Sequence, residues 1–382
     1  MKILIPGGHL TPALALIDWI RLNHQLDELV FVGRIYSQES LKQPAIEAYE
    51  VEKRQIKFIP FQAVRFYQTS LLSWLSWPCR FLTSLIQAEK ILAREKPDVV
   101  MSFGSYVAVP LVIMASIKHV PVLAHEGTRV IGLANKIIFK FAHSVALAFD
   151  QPQNFELKNI NKKITVTGNP LRLALKTTEK TTKPVWFKSE VNKNQILLIL
   201  GGNQGSEALN ELVKNNLTWL TQEFIVVHQC GRANKLHNYA QELPIFAQKN
   251  KIDTSRYYVL PWIDETDLVW LYQHAQLAVS RAGANSIQEL IFHQLPAILI
   301  PLPHANFNEQ YVNAQHLVAQ QAGYLLAQEN LSVNSFKQAI AQIVKNRALY
   351  QKNLQTVKNK LPLDPAQQLY NLLTDLVNSH RP

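Results

Sequence analysis

The residues best suited to chemistry lie at 280–290, Ser-Arg-Ala-Gly-Ala-Asn-Ser-Ile-Gln-Glu-Leu. The apolar run at 276–279 reads as a strand, Gly283 permits a sharp turn, and the residues behind it start a helix. The unpaired N–H groups and dipole of a helix start attract anions, so Gly283 and Ala284 are expected to meet phosphate. Glu289 falls between one and two turns into that helix, where a carboxylate suits two vicinal ribose hydroxyls and not a phosphate. An ordinary strand-turn-helix with a surface glutamate has the same pattern, so this segment alone leaves both readings open.

Further glycine turns follow other apolar runs. Gly7-Gly8-His9 closes the first one and precedes Thr11-Pro12, a helix start, so His9 is expected on a loop, as a proton acceptor, a helix cap or a solvated side chain. Gly201-Gly202-Asn203-Gln204-Gly205 reads as a backbone nest for phosphate, although many βα turns carry glycine. Gly104-Ser105-Tyr106 and His125-Glu126-Gly127-Thr128 bring a phenol, an imidazole, a carboxylate and a hydroxyl to strand ends, where they bind sugar hydroxyls, shift protons or cap helices. Arg172, after Gly168-Asn169-Pro170-Leu171, is placed to neutralise phosphate or to form an ion pair.

Short apolar runs alternating with helical patterns must position these residues, which is the signature of parallel sheets covered by helices. In the first half the strands are expected at 2–5, 29–32, 57–60, 99–102, 120–124, 144–148 and 164–167; in the second at 196–200, 224–228, 257–260, 277–280 and 297–300. A length of 382 residues fits two such domains, 1–175 and 196–362, joined by a polar, lysine-rich linker at 176–195. The segment 363–382 is a helix that can pack back on the first domain. The expected class is α/β, two doubly wound Rossmann-like domains facing across a cleft, an architecture called GT-B when the ligand is a sugar nucleotide.

Composition narrows the function. At 47% hydrophobic and 18% charged the chain builds sizeable cores, and a formal charge of +11 asks for an anionic partner. Nucleic acid is not expected, because the basic residues are scattered and no nucleic-acid motif accompanies them. Cys79 and Cys230 lack partners at metal spacing and argue for a reducing compartment. The chain has no Asp-x-Asp triplet, so no metal clamp for a diphosphate and no cofactor is expected. No stretch of about 18 uncharged apolar residues suggests a membrane span. Residues 71–82 are nonetheless apolar around more than one face and carry Trp74, Trp77 and Phe81 with Arg65 and Arg80 nearby, which reads as a membrane foot or a buried helix. Pro78 is expected to begin or kink a helix there.

Taken in order, Gly-Gly-His (7–9), Phe-Gly-Ser-Tyr (103–106), His-Glu (125–126), Gly-Leu-Ala-Asn-Lys (132–136), Gly-Asn-Pro-Leu-Arg (168–172), Gly-Gly-Asn-Gln-Gly (201–205), Ser-Arg-Ala-Gly-Ala (280–284), Pro-Leu-Pro-His-Ala (301–305) and Asn-Glu-Gln-Tyr-Val-Asn-Ala (308–314) resemble the MurG family. These bacterial transferases add N-acetylglucosamine from UDP-N-acetylglucosamine to undecaprenyl-pyrophosphate-linked muramoyl pentapeptide. The resemblance implies an inverting transfer in which His9, with Glu126 as the second candidate, takes the proton of the attacking hydroxyl. It further implies that Gly8, His9, Tyr106, Glu126 and Thr128 meet the acceptor, and that Gly202, Asn203, Gln204, Gly283, Ala284, Arg172 and Arg281 meet the diphosphate. By the same resemblance uracil lies against Trp262 and Ile263 with backbone groups reading its edge, Glu289 takes the ribose, and Glu309 and Gln310 the sugar. A peripheral position on the inner face of an anionic membrane, and contacts with other cell-wall enzymes, are implied as well.

The sequence also departs from the family pattern. The first loop is shortened to Ile5-Pro6 before Gly7-Gly8-His9, and Gly127-Thr128 replaces the family's usual Gln-Asn; Asn203 stands where a serine is usual. Two further readings therefore accompany the first: another GT-B lipid glycosyltransferase, or a membrane-associated UDP-sugar-binding protein without catalysis.

Overall fold

A computed structural model of the chain describes residues 1–38, 43–64, 71–150, 163–176, 181–191, 196–202, 205–233, 236–303 and 305–380. The chain divides into two compact units, Met1–Leu173 with Pro362–Pro382, and Ala174–Leu361.

Unit 1 is built on β1 (Lys2–Pro6), β2 (Glu28–Gly33), a small antiparallel pair β3 (Tyr36–Gln38) and β4 (Gln43–Pro44), then β5 (Lys57–Pro60), β6 (Val99–Ser102), β7 (Val122–Glu126), β8 (Ser144–Leu147) and β9 (Lys163–Val166). Seven of these form one parallel sheet in the order β5-β2-β1-β6-β7-β8-β9. Helices α1 (Leu10–Asn23), α2 (Ile46–Lys53), α3 (Leu71–Glu95), α4 (Ala108–Ile117) and α5 (Leu133–Phe141) connect them. The central strands are apolar at successive positions because both sheet faces are covered. Leu4, Val30 and Val100 pack with α4 residues such as Leu111, while the alternate positions Ile3, Ile5 and Met101 pack with Leu16 and Ile17 of α1.

The helix Pro365–His380 at the far end of the sequence joins that second core through Leu369 and Leu373. Two polar ties hold it: Trp19 Nε1 donates to Asp364 at 3.1 Å and Tyr370 Oη to Asp27 at 2.7 Å.

Unit 2 carries β10 (Ile196–Leu200), β11 (Ile225–Gln229), β12 (Tyr257–Leu260), β13 (Ala275–Ser280), β14 (Ala297–Leu299) and β15 (Tyr324–Leu325) in the parallel order β12-β11-β10-β13-β14-β15. Its helices are α6 (Glu207–Glu223), α7 (Tyr239–Lys249), α8 (Glu265–His274), α9 (Ala284–His293), α10 (Glu309–Ala319), α11 (Val333–Lys345) and α12 (Arg347–Asn359). At two residues, β15 is too short to leave a periodic signal in the sequence.

The expected linker is corrected where it is described. Leu175 and Phe187 are buried in unit 2, Phe187 stacks on Tyr258 at 4.8 Å, and Trp186 Nε1 donates to Asp267 at 2.6 Å. A lysine-rich surface concealed two apolar anchors, Trp186 and Phe187, with Leu175 just before the segment; residues 177–180 and 192–195 lie outside the described residues.

Both sheets reverse their strand order beside the first strand of the unit, between β1 and β6 and between β10 and β13. Ligands of doubly wound sheets bind at the carboxyl ends of the strands at such a point. Gly7 to His9 and Gly104 to Tyr106 flank the first; Gly201, Gly202 and Arg281 to Ala284 flank the second.

Candidate functional site

In unit 2, an open cleft of about 690 Å³ lies at this switch point, lined among others by Gly201, Gly202, Ser206, Arg281, Gly283 and Gln310. Gly202 has φ +80 and nothing within 4 Å of where a Cβ would be, so its backbone is open to a close approach. Gly205, also at positive φ, is glycine for a different reason: a Cβ there would overlap the carbonyl oxygen of Cys230. Asn203 and Gln204 lie outside the described residues.

Two helices start at this cleft. Ser206 caps α6 by accepting from Leu209 N–H, and Gly283 caps α9 with no side-chain bond, so the first N–H groups of α9, starting at Ala284, have no cap bond from it. Between them lies Arg281, whose Nη1 donates to the carbonyls of Ile300 (3.2 Å) and Pro301 (3.1 Å), and whose Nη2 donates to Ser206 Oγ (2.7 Å) and Gln328 Oε1 (2.8 Å). All four partners are neutral, and burial pulls the guanidinium down to about 10, so it remains a cation at neutral pH. A fixed cation between two helix starts suits a diphosphate.

Glu289 is 7% exposed in α9 and accepts from Tyr272 Oη at 2.8 Å, which orients the carboxylate. Gln310 turns its carbonyl to Leu302 N–H at 3.0 Å, and Glu309 begins α10 behind two left-handed residues, Phe307 and Asn308. The Trp262 ring is half-buried. The Ile263 side chain belongs to the core, and its N–H donates to Gln229 Oε1 at 3.2 Å. Ser206, Gln229, Tyr272 and Gln328 were not singled out in the sequence; only Ser206, before the apolar period of α6, carries a local signal.

In unit 1, Gly8 packs so closely that a Cβ would overlap the carbonyl oxygen of Gly104. His9, the N-cap residue of α1, is exposed and makes no side-chain cap bond, so the capping alternative fails. Tyr106 Oη accepts from Arg34 Nη1 at 3.1 Å, and Arg34 Nη2 pairs with buried Glu47 at 2.7 Å. Because β2 and β6 both flank β1, this link reaches over the Gly7-Gly8 turn. Arg34 and Glu47 carried no signal in the sequence.

The catalytic expectation for Glu126 is corrected by geometry. Oε1 accepts from Thr128 N–H at 3.0 Å and lies 3.0 Å from Thr128 Oγ1, and Oε2 accepts from Asn135 Nδ2 at 2.9 Å and Gly132 N–H at 3.3 Å. At 3% exposure it is an internal brace of the 126–132 loop, with both carboxylate oxygens engaged by N–H donors. Thr128 is buried and also contacts the carbonyl of Val130 at 2.6 Å, so its hydroxyl serves the same loop. His125 is held likewise: Nε2 meets the Gly168 carbonyl at 2.9 Å, and burial, aided by His9, lowers its pKa to about 4. Arg172 is partly buried in unit 1, on the segment behind β9.

Helix α3 runs through Pro78 and does not begin there. The Trp77 and Phe81 rings stack at 5.0 Å, Phe81 leans on the unit 1 core, and Arg80, Leu82 and Ile86 are exposed. Arg65 and the side chain of Trp74 lie outside the described residues. Among the described residues, no helix is long and apolar enough to cross a membrane, and no group of three His, Cys, Asp or Glu is placed to hold a metal.

Residues 6–147 match the glycosyltransferase family 28 N-terminal domain, and residues 196–367 match the family's C-terminal domain. The chain is 31% identical over 365 residues to the UDP-N-acetylglucosamine–N-acetylmuramyl-(pentapeptide) pyrophosphoryl-undecaprenol N-acetylglucosamine transferase of Clostridium botulinum, covering 94% of this chain and 95% of the relative. With the enzyme of the same name from Francisella philomiragia it shares 29% identity over 385 residues, 97% of this chain and 95% of the relative. The fold is similar to that of Acinetobacter baumannii MurG, with a TM-score of 0.72, 23% identity and coverage of 98% and 99% of the two chains. A calicheamicin glycosyltransferase shares the fold at a TM-score of 0.70 and 13% identity, over 100% of this chain and 99% of the other.

Proposed function

Since the chain belongs to glycosyltransferase family 28, and within it to the MurG-type transferases, we propose that it moves N-acetylglucosamine from UDP-N-acetylglucosamine to the C4 hydroxyl of undecaprenyl-pyrophosphoryl-N-acetylmuramoyl-pentapeptide, with inversion. The observation that carries this reading is the 31% identity maintained across 94% of the chain.

Unit 2 holds the donor in this proposal. Backbone N–H groups of Gly202 and Ala284, with the Arg281 cation, meet the departing pyrophosphate; Glu289 takes the ribose hydroxyls and Gln310 and Glu309 the sugar. Trp262 covers the uracil. The loops of unit 1 hold the acceptor, with Gly8 and Tyr106 beside it. His9 is the general base in this reading: an exposed imidazole on the loop at the unit 1 switch point, of a side-chain type that accepts a proton from a hydroxyl.

The lipid acceptor calls for a membrane-facing surface, and Trp77, Phe81, Arg80 and Trp74 supply a peripheral foot on the inner face of the cell membrane. No metal takes part in the proposal. A titration with UDP followed by turnover with and without EDTA tests it. Nanomolar-to-micromolar UDP binding and EDTA-resistant transfer are expected; UDP binding without turnover on any lipid acceptor favours the non-catalytic reading, and activity restored only by Mg²⁺ or Mn²⁺ removes the metal-free site.

A further inference from the structure

The carboxyl end of β11 holds both halves of the nucleotide cleft through one side chain. Gln229 is 5% exposed, and both ends of its amide are bonded to backbone. Nε2 donates to the Gly202 carbonyl at 3.2 Å, and Oε1 accepts from Ile263 N–H at 3.2 Å. Its own carbonyl accepts Gly201 N–H at 3.2 Å. One residue is thus bonded to the glycine turn twice and to the turn after β12 once.

The strand end that carries it is itself braced. Tyr257 Oη lies 3.1 Å from His228 Nδ1, His228 Nε2 lies 3.0 Å from Asn210 Oδ1, and Asn210 Nδ2 donates to the Cys230 carbonyl at 3.0 Å. These partners fix the tautomer: Nε2 carries the proton because Asn210 Oδ1 only accepts, and Nδ1 receives the Tyr257 hydroxyl. His228 is fully buried, and burial holds it neutral, at about 3. The Cys230 carbonyl at the end of this relay is the group against which Gly205 packs. The two ends of the 201–205 loop therefore rest on Gln229, the last residue of β11, and on Cys230 just after it.

We propose that Gln229 is a positioning residue that fixes the distance between the phosphate-binding turn and the base-binding turn. The inference rests on the reading of unit 2 as a nucleoside diphosphate site. A uracil and a diphosphate joined by one ribose need two half-sites at a set spacing, and the amide of Gln229 ties those half-sites together. Pre-organisation of this kind raises the affinity of the joined ligand above what the separate parts predict.

The test compares uridine, inorganic pyrophosphate and UDP on the full chain by ligand-detected NMR and calorimetry, wild type against Gln229→Met. Each half-site survives the substitution, so uridine and pyrophosphate should keep their affinities within about twofold while UDP weakens about tenfold or more. Gln229→Asn, with the same amide on a chain one methylene shorter, should reproduce the selective loss and serves where the Met variant does not fold. Equal weakening of uridine, pyrophosphate and UDP, or an unchanged UDP affinity, overturns the proposal. Wild-type protein that binds no UDP overturns the donor-site reading first, and the bridge with it.

Discussion

Replacing Glu126 separates its two roles, because a brace and a base fail differently. Glu126→Ala removes the partner of three N–H donors and a neighbour of the Thr128 hydroxyl. Thr128 Oγ1 retains the Val130 carbonyl and Asn135 Nδ2 retains the His125 carbonyl at 3.3 Å, so the main loss falls on the N–H groups of Thr128 and Gly132. A buried donor left without a partner costs about 1–3 kcal/mol, and Gly132 N–H lies nearer solvent, which places the sum at about 3 kcal/mol. For a unit of this size that lowers the thermal midpoint by roughly 6–12 °C. Glu126→Gln is the sharper probe, since its NH₂ end must face N–H donors whichever way the amide turns, at Thr128 or at Asn135 and Gly132. Differential scanning calorimetry beside steady-state turnover reads both effects. If Glu126→Gln kept its midpoint within a degree and still lost about 100-fold or more in turnover, the expected size of a lost general base, the brace argument would be refuted.

Further outcomes follow from the same geometry. His9→Ala should lower turnover about 100-fold or more with UDP affinity unchanged, whereas Glu289→Ala should weaken UDP binding by about 1.5–3 kcal/mol, measured by calorimetry. Stability should fall as the pH drops below 6.5, because His125 and His228 are held neutral with pKa values lowered to about 4 and about 3, and the unfolded chain binds protons they refuse. Their contribution is present above the unfolded value of 6.5 and is lost as pH falls toward the folded values; His228→Asn should flatten the slope of midpoint against pH in that window. Replacing Trp74 and Trp77 with Ser should reduce sedimentation with anionic liposomes while UDP binding persists, and liposome binding equal to wild type would place the membrane foot elsewhere.

Much of the fold is legible in the sequence because parallel strands buried on both faces are short continuous apolar runs, as at 196–200, where all five residues are buried. The strand ends shift by a residue or two, and β15 is missed for its length. The segment at 176–195 misleads because its charges are frequent and its anchors, Trp186 and Phe187, are few. In the site, glycines and helix starts are readable since they act through local backbone, as at Gly202 and Gly283. Residues that act across the sheet are not: Arg34 reaches Tyr106 over 72 positions, and Gln229 reaches Ile263 over 34. Glu126 shows the converse limit, because a carboxylate at a strand end looks the same in sequence whether it faces substrate or its own loop.

Incubation of the purified chain with UDP-N-acetylglucosamine and a short-chain lipid-linked muramoyl pentapeptide, followed by mass spectrometry and NMR of the product, tests the central claim most directly. The account predicts one N-acetylhexosamine added to the acceptor through a β linkage to the muramoyl C4 oxygen, with UDP released in equal amount. An α linkage, transfer to a different lipid acceptor alone, or release of UDP without any glycosylated lipid would contradict it.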